Sequence, residues 1–248
     1  MKIRINPAQV NGKVSAPASK SVAQRAIAIA SLCGDHSEIR RIGSSQDVMA
    51  AISVCRQLGA DITQNGDSLI IHGGIHPPSG PLYCGESGLG IRMFSGISAT
   101  FDQEIVLNGG GSLQDRPMAM IQQSLEAFGV QCKTNAGRLP VRITGPIRPG
   151  SFHIDGSQGS QTLTGLLIAS PLCGGEVNIS VSDLKSKHYA DITTDVMHSF
   201  GVDVEQKGYE EFRILEGAKY RAADYTVEGD WSGAAFVFVA AALAGKVL

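Results

Sequence analysis

The sequence predicts an α+β protein built from three tandem βαβαββ repeats packed around a pseudo-threefold axis. Three observations predict it. The segments "DVMAAISVCRQLGADITQNGDSLIIHG" from Asp47, "RPMAMIQQSLEAFGVQCKTNAGRLPVRITG" from Arg116 and "ITTDVMHSFGVDVEQKGYEEFRILEG" from Ile192 share one pattern: an amphipathic helix, a stopping glycine, a strand, a polar turn and a second strand. The stopping glycines, Gly59, Gly129 and Gly201, are 70 and 72 residues apart. Between these segments recurs a second helix type, apolar on most faces and opened by a serine-bearing turn.

Taken in order, the first unit contains the helix "SKSVAQRAIAIASLCGD", the strand "SEIRRI" and the amphipathic segment from Asp47 with its strand pair. The second contains "SGLGIRMFSGISATFD", the strand "QEIVLNG" and the segment in which Arg116 opens the amphipathic helix, with Pro117 at a favoured first-turn position. The third contains "SQTLTGLLIASPLCGG", the strand "EVNISVS" and the segment from Ile192. A fourth apolar helix, "SGAAFVFVAAALAGK", opens another unit near Ser232 that breaks off at Leu248. All four apolar helices are expected to be buried.

The composition, 43% hydrophobic and 18% charged, is that of a folded globular protein. A net charge of −2 from 21 basic and 23 acidic residues argues against a nucleic-acid binder, so any anion site must be local. The longest apolar run, "AAFVFVAAALAG", is well short of the roughly 20 residues that span a bilayer, and the first 15 residues lack a signal-peptide pattern. The expectation is a cytoplasmic protein with no membrane partner. Five widely spaced cysteines form no C-x-x-C pair, and the six histidines show no ligand spacing along the chain. No metal site is expected.

Serine-marked turns at Ser19 to Ser21, Ser87 to Gly88, Ser160 and Ser232 begin the apolar helices. If the three complete units pack around a common axis, their helix N-termini converge and present unpaired N–H groups and positive dipole ends to an anion. No Walker loop is involved, since the glycine nearest before Lys20 is Gly12. Lys20, Arg25, Arg92 and Arg116 fall where they can face one cleft. Singly, each reads as an ordinary solvated charge, but an arginine inside the apolar "GLGIRMFSGI" is costly to bury without a partner.

The motifs "ASKSVAQRA", "GESGLGIRM", "QDRPM", "GSQGSQTLTGLLIASPL", "SKHYADIT" and "VEGDWSGAA" occur in that order along nearly the whole chain. Together they resemble the 3-phosphoshikimate 1-carboxyvinyltransferase (5-enolpyruvylshikimate-3-phosphate synthase) family. The resemblance implies transfer of the enolpyruvyl group of phosphoenolpyruvate to the 5-hydroxyl of shikimate 3-phosphate, with release of phosphate and no cofactor, in a protein that is usually monomeric. It implies a fold of two lobes, each of three βαβαββ units, with the substrates between them. Residues 14–228 would form one lobe, and residues 1–13 and 229–248 a fragment of the other.

Carried over by position, the resemblance makes Lys20 the catalytic contact to both substrates. Ser21, Arg25, Ser160, Gln161, Ser186 and Tyr189 would bind shikimate 3-phosphate. Gly88, Arg116 and Gln161 would bind phosphoenolpyruvate, with Arg92 supporting the loop. The key carboxylates would lie beyond residue 248, so this chain alone is expected to be inactive, to leave the Ala234 to Ala244 helix with an exposed apolar face and to self-associate through it. Asp230 matches a motif aspartate but reads equally as a helix cap. Departures from the family pattern occur at Glu86, Leu89, Met93 and Gly159. Glu86 would repel a phosphate unless paired with a cation such as Arg92, and Gly159 leaves only a backbone donor where a serine is usual. Two alternatives remain open: a non-catalytic phosphate-ligand or scaffold module, and the enolpyruvyl transferase acting on UDP-N-acetylglucosamine, whose reactive loop cysteine is missing from "NGGGSLQDR".

Overall fold

The computed structural model of the chain describes residues 12–244. Most of the expected N-terminal fragment, residues 1–11, and the last four residues lie outside the described part. Helix α1 (Lys20–Leu32) leads through β1 (His36–Arg40) to α2 (Gln46–Gln57) and the hairpin β2 (Asp61–Asn65) and β3 (Ser68–His72). The second stretch comprises β4 (Leu82–Tyr83), α3 (Gly88–Ser98), β5 (Glu104–Asn108), α4 (Ala119–Ala127), β6 (Gln131–Asn135) and β7 (Arg138–Thr144). The third comprises β8 (Gly150–Asp155), α5 (Gln161–Ala169), β9 (Val177–Ser182), α6 (His188–Ser199), β10 (Glu205–Lys207) and β11 (Glu211–Ile214). The chain then forms β12 (Tyr225–Thr226) and α7 (Trp231–Ala244).

Three four-stranded sheets result, ordered β12-β1-β3-β2, β4-β5-β7-β6 and β8-β9-β11-β10. In each, the outermost strand of the first-named pair runs parallel and the remaining pairings are antiparallel. The chain-order expectation misses one feature of the first sheet. Its parallel strand is not drawn from residues ahead of α1 but from β12, where Ile39 pairs with Tyr225 and Arg40 with Thr226. The backbone N–H of Val227 donates to Arg40 O and that of Ser19 to Glu228 O, which continues the seam.

The apolar helices α1, α3 and α5 lie in the core, and α3 is buried along its entire length. Helices α3 and α5 approach until their backbones touch. A Cβ added at Gly96 would lie 2.3 Å from the Gly165 carbonyl, and one at Gly165 would lie 2.5 Å from Arg92 O. Helices α2, α4 and α6 bury one face each, as their apolar spacing predicts. Two of the stopping glycines show why glycine stands there: Gly129 and Gly201 adopt φ of +71° and +82°.

One placement differs from the sequence expectation. Arg116 does not open α4, because the residue before a proline is pushed towards extended conformations. Residues Gly111–Asp115 form a 3-10 turn, Arg116 is extended at ψ 143°, and the helix starts only at Ala119. Helix α7, apolar on all sides like the buried three, has the exposed apolar face expected of it in this chain: Trp231, Phe236 and Leu243 are 72%, 82% and 83% accessible and only Ala234 is buried. Among the described residues no helix is long and apolar enough to cross a membrane.

Candidate functional site

The first turns of α1, α3 and α5 meet at one cavity of about 530 Å³. Lys20 and Ser21 come from α1, Gly88 and Leu89 from α3, and Ser160 and Gln161 from α5. Arg25, Arg116, Ser186 and Tyr189 complete the set, so nine of the ten residues singled out in the sequence line this cavity. The tenth, Arg92, lies behind it. Its guanidinium donates to Gly88 O at 2.9 Å and Pro117 O at 3.2 Å and contacts Met120 Sδ, tying α3 to the Arg116 segment.

Helix N-termini leave their first N–H groups without intrahelical partners, and here three such ends face the same space. Ser87 closes one of them: its Oγ accepts from Gly90 N–H at 3.0 Å and donates to Gln24 Oε1 at 2.7 Å, linking α3 to α1. Among the described residues, Ser160 Oγ is buried with no hydrogen-bond partner. An orphaned hydroxyl at the start of α5 is a group for a ligand to satisfy.

Charge concentrates at this convergence. Lys20 Nζ donates to Asp47 Oδ2 at 2.8 Å and remains half exposed. Arg25 is 1% exposed and has no carboxylate partner among the described residues. It donates to Thr193 Oγ1 at 2.9 Å, Ser21 O at 2.9 Å and Thr164 Oγ1 at 3.1 Å, and lies 5.9 Å from the Tyr189 ring centre. Burial pushes its pKa down to about 10, with the Tyr189 charge opposing that shift. It stays cationic at neutral pH, and a buried cation without a counter-ion favours an anion nearby.

Arg116 occupies the space that Gly88 leaves free, since a Cβ there would fall 2.5 Å from its Nη1. The absent side chain therefore admits a guanidinium over the start of α3. Burial, and then the nearby Arg116 charge, lower the pKa of Arg92.

Two of the departures, Glu86 and Gly159, are each held by a hydrogen bond. Glu86 does not pair with Arg92. It accepts from the Ser112 backbone N–H at 2.9 Å, and the hydrogen bonds from Ser112 followed by the Arg116 charge hold its carboxyl below the usual range. The backbone donor left at Gly159 is spent on Gly156 O at 3.0 Å, and Gly159 sits at φ +122°, a conformation serine rarely adopts. Asp230 caps α7, its Oδ1 accepting from Ser232 N–H at 2.9 Å and Gly233 N–H at 3.1 Å.

Gln24, Asp47 and Ser112 line the cavity and were not singled out as site residues by sequence. Gln24 follows Lys20 by one helical turn and was within reach of a spacing argument. Asp47, 27 residues from its partner, offered no such signal.

The chain matches the family profile described as EPSP synthase (3-phosphoshikimate 1-carboxyvinyltransferase) over residues 5–248. It is 36% identical over 244 residues to the 3-phosphoshikimate 1-carboxyvinyltransferase of Clostridium kluyveri, an alignment covering 97% of this chain and 57% of that protein. It is 37% identical over 254 residues to the protein of the same name from Methanocorpusculum labreanum, covering 100% of this chain and 60% of the relative. The structure of EPSP synthase from Acinetobacter baumannii superposes with a TM-score of 0.82 at 28% identity, over 94% of this chain and 53% of that one. The chain thus spans somewhat more than half the length of the relatives it matches.

Proposed function

Because the chain belongs to the EPSP synthase family, we propose that it supplies one lobe of an enzyme transferring the enolpyruvyl group of phosphoenolpyruvate to the 5-hydroxyl of shikimate 3-phosphate, with release of phosphate. The observation that carries this reading is the meeting of three helix N-termini with Lys20, Arg25 and Arg116 at one cavity. Both substrates are small polyanions, and such an arrangement attracts phosphate and carboxylate groups.

In this reading residues 14–228 are three βαβαββ units about a pseudo-threefold axis, with the first unit completed by β12. The repeated order of the three sheets supports it. Residues 1–13 and 229–248 belong to a second lobe, a division favoured by the uncovered apolar surface of α7. In isolation the chain self-associates through Ala234 to Ala244. Its setting is the cytoplasm, and its pathway leads to aromatic amino acids.

At the site, Lys20 bridges the substrates and stabilises negative charge as the hydroxyl adds. Ser160, Gln161, Ser186 and Ser21 receive shikimate 3-phosphate, Tyr189 packs on its ring, and Arg25 draws its carboxylate. Arg116, with the N–H groups at Gly88 and the Gln161 amide, holds phosphoenolpyruvate. The reaction also needs a proton for the vinyl carbon and a base at the hydroxyl. The cavity's two carboxylates, Asp47 and Glu86, are engaged by Lys20 and the Ser112 turn. The chain by itself therefore binds without turning over.

Calorimetric titration tests this. Shikimate 3-phosphate is expected to bind with a dissociation constant weaker than about 0.1 mM, and more tightly than inorganic phosphate, with Ser160→Ala abolishing the difference. Equal binding of both ligands would overturn the assignment of the cavity, and turnover by the chain alone would overturn the division of labour.

A further inference from the structure

At the opposite end of α1 from the cavity, Asp35, His36 and His72 bring a carboxylate oxygen and two imidazole nitrogens within 4.8 Å of one another. We propose that these three residues form a binding site for a divalent first-row transition metal of the zinc, cobalt and nickel group. Spacing along the chain gave no hint of it, because His36 and His72 are brought together by strand pairing. They face each other directly in the antiparallel ladder of β1 and β3, with ring centres 4.5 Å apart.

Several features hold this trio in place. Asp35 Oδ1 accepts from the His36 backbone N–H at 2.7 Å, which orients the carboxylate beside the imidazole. His72 is anchored by its neighbour: a Cβ added at Gly73 would lie 2.1 Å from Cys33 O, so the end of β3 is pressed against the end of α1. The next amide, Gly74 N–H, donates to Ser31 O at 3.0 Å. Among the described residues, no hydrogen bond occupies a ring nitrogen of either histidine. Asp61, directly across from His72 on β2, adds a second carboxylate on the same exposed face.

Two imidazoles and a carboxylate suit a borderline metal and leave a fourth position for water, whereas magnesium and calcium prefer all-oxygen sets. A tetrahedral ion with bonds of about 2.0–2.1 Å needs ligand atoms roughly 3.3 Å apart. All three side chains are exposed and can close that gap by rotation. Helix α1, with 13 residues, places this site roughly 20 Å from the cavity. A bound ion would clamp the α1–β1 turn to β3 without touching the anion site.

The test is titration of the full chain with Zn²⁺ or Ni²⁺ alone, followed by calorimetry and by thermal unfolding. The expected result is one micromolar-class site and a Tm rise of roughly 5 °C at an ion concentration 100 times the dissociation constant, with Mg²⁺ ineffective. His36→Gln and His72→Gln should each weaken binding at least about tenfold. Affinity for shikimate 3-phosphate should be unchanged in both. His198→Gln, at the separate His198–Asp203 pair, should leave metal binding intact. No saturable binding, or binding that survives both substitutions, would overturn the proposal.

Discussion

Lys20 and Asp47 illustrate what single residues contribute here. Their 2.8 Å pair keeps the ammonium at the mouth of the cavity, so Lys20→Ala removes a cation and also leaves Asp47 unpaired beside an anion site. Losing a charged hydrogen bond costs about 1.5–3 kcal/mol, and we expect shikimate 3-phosphate affinity to fall roughly 10- to 100-fold in calorimetry. Lys20→Ala combined with Asp47→Ala should recover part of that loss. Gly159 makes a different prediction. Its φ of +122° penalises any side chain, so Gly159→Ser should lower stability by about 1–3 kcal/mol in urea unfolding, despite restoring the usual family residue. Lys20, Ser21, Arg25, Gly88, Arg92, Arg116 and Ser160 stood out as charges or serine turns beside apolar stretches, whereas Gln161, Ser186 and Tyr189 came only from the resemblance. Hydrogen-bond partners were not legible: the hydrogen bonds of Glu86 to Ser112 and Lys20 to Asp47 join residues 26 and 27 apart that share no periodicity.

Among the elements, the crossing of α3 and α5 sets the geometry of the site, because contact at Gly96 and Gly165 fixes how closely their N-termini approach. Gly96→Val would force the helix backbones apart. Overpacking costs about 1–3 kcal/mol, and more where backbone itself blocks the added atoms. The measurable result should be a lower urea midpoint together with weakened anion binding, whereas an equally large surface change would affect neither. Helices and antiparallel hairpins were readable in the sequence, since their apolar periods reflect one buried face or full burial. Strand β12 was not readable. It is two residues long, too short for alternation to register, and its partner lies near the other end of the chain. The Arg116 segment was misread because Pro117 suits a helix start, yet the same proline bars its neighbour from helical backbone.

For the molecule as a whole, the buried thiols connect core packing to pH. Burial raises the pKa of Cys33, Cys55, Cys84, Cys132 and Cys173 from 9.0 to about 12. A raised folded-state value means that the native chain retains protons the unfolded chain has lost. The associated stability is intact below pH 9 and disappears as pH climbs towards 12. Urea midpoints should therefore decline across that interval, and Cys55→Ala should flatten the decline while lowering stability at neutral pH. The native protein should also resist thiol-labelling reagents at pH 7, because the reactive thiolate is scarce and four of the five sulfurs are buried. The 70- and 72-residue spacing of the glycines pointed towards three sheets, and three four-stranded sheets are present. The exposed apolar face of α7 was expected only from the resemblance, because a helix apolar on all sides does not by itself name its cover.

The closure of the first sheet by Tyr225 and Thr226 has a consequence for biosynthesis. A nascent chain can form α1, β1 and the hairpin of β2 and β3 soon after they leave the ribosome, yet one edge of β1 stays unpaired until β12 emerges. Contacts of such long sequence separation form late, and an open strand edge meanwhile invites pairing with another chain. Purified chains truncated near residue 215 should consequently be cleaved by protease in their first sheet and those ending near residue 240 protected, so that the first sheet is locked only once Tyr225 and Thr226 are available.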